Sequence, residues 1–265
     1  MDLALKGKRA LVTGASAGLG AATATALVAE GAQVVINGRD QGRLEVAARK
    51  IEAAAGVKPG LAVGDISKSA DRVKVINAAR EQLADGMIDI LASNTGGPPA
   101  GMFLDHSGDT WREAGHLLLE SAVGLTRAIL PGMIERHWGR LIYITSVAVL
   151  QPIDDLILSN SYRSAVTGFC KTISNTYAKD GITANTVCPG YTATERLLSL
   201  AETRARAAGV TPKEAMQGFV GSVPAGRLGK PEELAALIAF LASDRAAYIT
   251  GCSIPVDGGW HRGLL

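Results

Sequence analysis

Long apolar runs are missing from this 265-residue chain: no stretch shows the roughly 20 consecutive apolar residues that a spanning helix needs. The first residues, Met1-Asp2-Leu3-Ala4-Leu5-Lys6-Gly7-Lys8, lack the apolar core of a secretory signal, so no membrane partner is expected. Excess charge of one sign is missing too. With 27 Lys+Arg against 25 Asp+Glu, bulk electrostatics draws the chain neither to nucleic acid nor to an anionic surface. Cysteine is scarce: Cys170, Cys188 and Cys252 stand far apart in apolar surroundings. An odd, scattered set excludes a disulfide framework and reads as buried thiols in a reducing compartment, hence a cytoplasmic protein. The four histidines, His106, His116, His137 and His261, show no paired ligand spacing, so no metal is expected. Repeats, low-complexity tracts and interdomain linkers are also missing, which makes residues 1–265 one expected domain.

What is present is alternation. Short apolar runs are followed by longer amphipathic segments from end to end, the pattern of repeated β-α units on a parallel sheet. Strands are predicted near Arg9–Thr13, Gln33–Asn37, Lys58–Val63, Ile88–Ser93, Arg140–Thr145, Thr183–Cys188 and Ser253–Val256. The expected fold is therefore α/β: a Rossmann-type, doubly wound, parallel seven-stranded sheet with helices on both faces and right-handed crossovers. A helix near Ala21–Glu30 ends at Gly31, and Pro231-Glu232-Glu233 opens the last long helix with proline at its first turn and acids at its positive end. Between Tyr191 and Leu228 the pattern changes to a polar, arginine-bearing insertion with weak helical periodicity. It follows a strand's carboxyl end, where open α/β sheets bind ligands, and reads as a substrate lid over about 191–228.

The strongest local signal is Thr13-Gly14-Ala15-Ser16-Ala17-Gly18-Leu19-Gly20, which closes an apolar strand and opens a helix. Glycines let the backbone turn tightly and approach a pyrophosphate, while the helix end offers free N–H groups and partial positive charge. About twenty residues on, where a dinucleotide fold reads the ribose 2′ position, stands Ile36-Asn37-Gly38-Arg39. Gly38 leaves room and Arg39 supplies a planar cation suited to a phosphate, which favours NADP(H) over NAD(H).

Thr-Gly-x-x-x-Gly-x-Gly resembles the fingerprint of the short-chain dehydrogenase/reductase family, particularly its 3-oxoacyl-acyl-carrier-protein-reductase-like members. Further segments are similar in the right order: Gly64-Asp65-Ile66 to an adenine-contacting turn, Ser93-Asn94-Thr95-Gly96-Gly97 to the Asn-Asn-Ala-Gly segment, and Asn185 through Pro189-Gly190-Tyr191-Thr192-Ala193-Thr194 to the Asn-x-x-x-Pro-Gly segment. Arg227 through Glu233 and Thr250 through Gly259 complete the likeness. The resemblance implies a cofactor site made by Gly14, Ser16, Gly18, Leu19, Gly20, Gly38, Arg39, Asp65, Ile66, Asn94, Gly96, Arg163, Pro189, Gly190, Thr192 and Thr194. It also implies a homotetramer built on helices from Thr110 to Met133 and from Ser159 to Lys179.

The family's catalytic group is a tyrosine acid, a lysine that tunes it, a carbonyl-polarising serine and an asparagine. Here Ser146 closes the fifth strand in the serine's place, but the register thirteen residues on puts Ser159 at the tyrosine and Arg163 at the lysine, and a count from Trp111 to Pro131 puts Leu118 at the asparagine. A rival register takes Tyr162 as the acid, with Val166 in place of the lysine. An arginine stays protonated and donates without shuttling, and an alkanol is far less acidic than a phenol of pKa about 10. The expectation is thus an NADP(H)-dependent oxidoreductase acting on a small carbonyl or secondary alcohol, its proton coming from water or Tyr191. The alternative is a catalytically impaired NADP(H)-binding sensor, scaffold or partner subunit.

Overall fold

The computed structural model describes residues 2–264; Met1 and Leu265, the two ends of the expected domain, lie outside the described residues. Seven strands form one sheet: β1 (Arg9–Val12), β2 (Gln33–Gly38), β3 (Gly60–Val63), β4 (Ile90–Ser93), β5 (Gly139–Ile144), β6 (Ile182–Pro189) and β7 (Ser253–Val256). Their spatial order is β3-β2-β1-β4-β5-β6-β7, and every neighbouring pair is parallel. The predicted strands hold their places; the largest boundary errors, at Lys58 and Ile88, are two residues.

Strand composition explains the layering. Because helices cover both faces, the central strands are apolar on consecutive residues rather than alternate ones: all of β4 and β5 is buried. Alternation survives only in which layer each residue enters. Ala10, Val12, Ile142 and Ile144 point into the layer containing Leu27, Leu44, Ile51, Leu234 and Ile238. Leu11, Leu141 and Tyr143 point into the opposite layer, with Val75, Leu125, Ile129, Met133 and Val166. The first layer is closed by α1 (Gly18–Ala29), α2 (Gln41–Ala55) and α9 (Pro231–Leu241); the second by α3 (Ser69–Gln82), α5 (Ser121–Glu135) and α6 (Ile157–Tyr177).

One π turn, His116–Glu120, joins α4 (Gly108–Gly115) to α5. The rod Gly108–Glu135 is long and apolar overall, but Glu113, Glu120 and Arg127 interrupt it, so it contains no run of about 20 apolar residues. Here its apolar side, Ala122, Leu125, Ile129 and Met133, is buried in the core. Cys170 and Cys188 are buried as expected, whereas Cys252 is exposed, because it precedes the short edge strand β7.

The predicted lid is more ordered than its sequence periodicity suggests. It contains α7 (Glu195–Ala208) and α8 (Pro212–Ser222), which pack on each other through Leu197, Leu200, Ala201 and Phe219, a small core separate from the two sheet layers. Thr211 and Glu214 form a capping box with Pro212 at the first turn, a local start signal that was present in the sequence.

Candidate active site

The carboxyl ends of the strands open into a cavity of about 520 Å³, within the range of about 300–1,000 Å³ typical of small-molecule sites. It lies where the chain reverses direction across the sheet, because β1 is flanked by β2 on one side and β4 on the other.

On one side is the glycine turn. Gly14 and Gly18 have φ of +55° and +56°, a region that side-chain-bearing residues adopt at a cost of about 1–2 kcal/mol. A Cβ on Gly14 would also stand 2.8 Å from the Asn94 carbonyl oxygen. Asn94 Nδ2 donates to Gly14 O at 3.0 Å, Asn94 N donates to Thr13 Oγ1 at 2.9 Å, and Thr13 Oγ1 donates to Asn94 O at 2.8 Å. The loops after β1 and β4 are thereby clipped together, and the Asn94 amide serves the turn. No acid sits in the first turn of α1 and no side chain caps it, so its free N–H groups and positive end remain available for an anion.

All the expected cofactor residues border this cavity except Gly20. A Cβ on Gly20 would collide with Gly14 O and the Ala15 Cα, so its smallness lets α1 dock on its own turn instead of admitting a ligand. Arg39 is exposed and has no ion-pair partner among the described residues, whereas its neighbour Arg43 is engaged at 2.7 Å by Glu195 of α7. Asp65 accepts from Ser67 N and Oγ at 3.0 and 2.7 Å. Thr194 Oγ1 caps α7 by accepting from Leu197 N at 3.3 Å, and its methyl would lie 3.4 Å from a Cβ on Gly18. The insertion's first helix therefore starts beside the glycine turn.

On the other side are the residues aligned with catalysis. Ser146, Ser159 and Arg163 border the cavity together, as does Tyr191. Ser146 Oγ accepts from Ala148 N at 3.1 Å, capping a single 3₁₀ turn and leaving its own hydrogen free to donate. Arg163 Nε donates to Ser159 Oγ at 3.2 Å, and Nη1 donates to the carbonyls of Ile144 and Thr145 at 2.9 and 3.0 Å. The guanidinium thus satisfies the frayed end of β5. Burial, reinforced by the nearby Arg196 charge, lowers its pKa to about 10, which still leaves it protonated near neutrality.

Tyr162, the acid of the rival register, does not border the cavity. One residue earlier on α6 than Arg163, it is rotated by a helical step and packs 5.9 Å from Trp111, against Gly115. Tyr143 is no substitute, since it is fully buried in the core, hydrogen-bonded to Thr126 Oγ1 at 2.8 Å, and its pKa is raised by burial. Tyr191 stacks on Phe219 with a centroid separation of 4.6 Å and receives a hydrogen bond from Arg204 Nη1 at 3.4 Å. Within the π turn, Leu117 borders the cavity, and Leu118, expected at the asparagine position, is buried without reaching it. His116 and Glu120 pair with each other at 2.8 Å, half-exposed.

Residue reasoning missed how the lid is held. Arg204 donates to both oxygens of Asp155 at 2.8 and 2.6 Å, which keeps that carboxyl below the usual carboxylate range. Arg196 Nη2 donates to Pro98 O at 2.7 Å. Of Arg196, Arg204 and Arg206 in the insertion, only Arg206 stays on its own helix, donating to Glu202 O.

Residues 14–261 match the family model described as enoyl-(acyl carrier protein) reductase. The chain belongs to the short-chain dehydrogenase/reductase family of oxidoreductases. It is 33% identical to D-beta-hydroxybutyrate dehydrogenase of Cupriavidus necator over 260 residues, covering 97% of this chain and 98% of that one. It is 32% identical to 3-oxoacyl-(acyl-carrier-protein) reductase of Salmonella typhimurium, covering 98% and 99%. Among solved structures, L-sorbose reductase from Gluconobacter frateurii, complexed with NADPH and L-sorbose, superposes with a TM-score of 0.92 at 32% identity over 100% of both chains.

Proposed function

We propose that this short-chain oxidoreductase is NADP(H)-dependent and interconverts a small carbonyl compound and its secondary alcohol. The observation that carries the reading is the combination at the cavity's nucleotide end. The Gly14 and Gly18 turn faces an uncapped helix, and Arg39 stands free beside Gly38, where a Cβ would crowd Leu44 at 3.1 Å and Ser16 at 3.4 Å. The NADPH in the L-sorbose reductase structure supports it.

When bound, the cofactor supplies a hydride; the carbonyl carbon takes that hydride and its oxygen takes a proton, giving alcohol and oxidised nicotinamide. Gly14, Ser16, Gly18 and Leu19 would hold the diphosphate, Asp65 and Ile66 would border the adenine, and Pro189, Gly190, Thr192 and Thr194 would bound the nicotinamide side. Ser146 donates a hydrogen bond to the carbonyl oxygen. Arg163 holds Ser159 and would donate to the nicotinamide ribose and stabilise a developing alkoxide as a fixed positive charge. The proton comes from water or from Tyr191. The second reading, an impaired NADP(H)-binding protein, is favoured by one observation: Ser159 and Arg163 are locked to each other and to β5, so no phenol beside a lysine supplies the proton. The protein is proposed to work in the cytoplasm as a homotetramer, which sedimentation tests.

The direct test of the cofactor is fluorescence titration with NADPH and NADH. A charge-assisted contact from Arg39 to a 2′-phosphate, worth about 1.5–3 kcal/mol, gives NADPH at least about tenfold tighter binding, and Arg39→Ala removes the preference. Equal affinities in the wild type, or a preference that survives Arg39→Ala, reject the assignment.

A further inference from the structure

Two arginines meet at the substrate end of the cavity without an acid. Arg163 forms part of its wall from α6; Arg196 reaches in from the lid helix α7. Arg196 is exposed as a residue, but its guanidinium lies over Gly97: a Cβ there would stand 2.7 Å from Nε and 2.8 Å from Nη2. Its one protein acceptor among the described residues is Pro98 O, which takes Nη2 and leaves Nε and Nη1 without a partner. Arg163 likewise leaves Nη2 unused. Neither arginine has an ion pair among the described residues.

The acids bordering the cavity are committed elsewhere: Glu195 binds Arg43 at the outer rim, and Asp65 binds Ser67 beyond β3. Desolvation lowers the Arg196 pKa with no acid to offset it, and its charge in turn depresses that of Arg163. Like charges held together away from water cost free energy unless an anion completes the site. Pro98 O takes one hydrogen of Nη2, so one of the two paired-donor edges of the Arg196 guanidinium, Nε with Nη2 or Nη1 with Nη2, stays open and has the geometry of a carboxylate receptor.

We infer that this cavity takes an anionic substrate, a short oxo or hydroxy acid whose carboxylate is bound by Arg196, making Arg196 the residue that selects acids over neutral carbonyl compounds. This rests on the oxidoreductase reading above only in naming the bound acid a substrate. The α7 lid then closes on the substrate's charged group, while Gly97 stays small so that the guanidinium can lie against the β4 loop.

The test measures binding to the NADPH-loaded protein by calorimetry, using acetoacetate against methyl acetoacetate and 2-oxobutyrate against methyl 2-oxobutyrate. NADPH oxidation is followed in parallel. At least one acid should bind tenfold or more tightly than its ester. Arg196→Gln, which keeps a donor for Pro98 O but loses the charge, should bring that ratio near one. Arg196→Lys should restore part of it, and Gly97→Ala, which pushes the guanidinium aside, should lower it several-fold. Equal binding of acid and ester, failure of both acids to bind, or an unchanged ratio in Arg196→Gln overturns the inference. So does a tenfold loss of NADPH affinity in Arg196→Gln with the ratio intact, which would give Arg196 to the cofactor's phosphates. Selective acid binding without NADPH oxidation would retain the anion site and defeat the oxidoreductase reading; turnover of esters without acid preference would do the reverse.

Discussion

At the amino ends of the strands, Arg9, Arg136 and Arg140 each meet a carboxylate; at the carboxyl ends Arg43 and Arg204 do so too, but Arg163 and Arg196 on the cavity wall do not. Asp89, 3% exposed, receives Arg9 Nε at 2.6 Å, Arg9 Nη2 at 2.9 Å and Arg136 Nη2 at 3.2 Å. Arg140, the buried second residue of β5, reaches Asp244 at 3.1 Å and lies over Trp138. Arg163, at the other end of the same sheet, finds only carbonyls and a hydroxyl. Arg140 and Arg163 are alike in residue type and in being buried, so the difference lies in what surrounds them. Paired charges close one end of the fold, and unpaired ones leave the other end incomplete without a ligand.

The largest effect that should sharpen this contrast is chemical. Replacing Ser159→Tyr together with Arg163→Lys puts a phenol at the cavity and an ammonium four residues along α6, one helical turn away. The ammonium and the oxidised nicotinamide lower the phenol's pKa. Since general acid catalysis contributes typically about 10²–10⁴-fold, carbonyl reduction should rise by at least about 10²-fold, measured as NADPH consumption over a panel of ketones and oxo acids. Either single change should give much less, because each lacks the partner it needs. A double variant no faster than the better single one would mean that proton donation is not what the wild type lacks.

Gly18→Val comes next. It should weaken NADPH binding by more than about 100-fold, near 2.7 kcal/mol, while the left-handed backbone strain costs only about 1–2 kcal/mol of stability. Circular dichroism beside titration separates the two. Unchanged affinity in a folded variant would remove the phosphate turn from the account.

At the opposite end the signs exchange. Asp89→Asn leaves Arg9 and Arg136 without their carboxylate and should cost about 2–4 kcal/mol in urea unfolding, with NADPH affinity changed less than about twofold. A comparable loss of affinity would show that the two ends are coupled and that the comparison above is false.

How much of this was legible in the sequence follows the range of the interactions. The strands, the glycine turn and the Pro231 helix start are local patterns, carried by neighbours within a few residues, and the structure has them at or near the predicted positions. Gly20 lies off the cavity and against its own turn, a packing role that reads in the sequence the same as one for a ligand. The lid arginines were ambiguous for another reason: Arg196 meets Pro98 and Arg204 meets Asp155, partners 98 and 49 residues away, so no spacing near either arginine distinguishes a latch from a solvated face. Leu117 replaces Leu118 on the cavity wall at a π turn, where a count based on regular helical register is least secure.

The central claim, that this cavity transfers hydride despite Ser159 and Arg163, is tested most directly with NADPH carrying deuterium at the transferable C4 position. The protein is incubated with the carbonyl panel and the alcohol products are weighed by mass spectrometry. One deuterium on the carbinol carbon of a product, reduced or lost in Ser146→Ala, is the predicted result. NADPH bound tightly, with no labelled alcohol formed from any member of the panel, would contradict it and make the protein a nucleotide-binding relative of these enzymes.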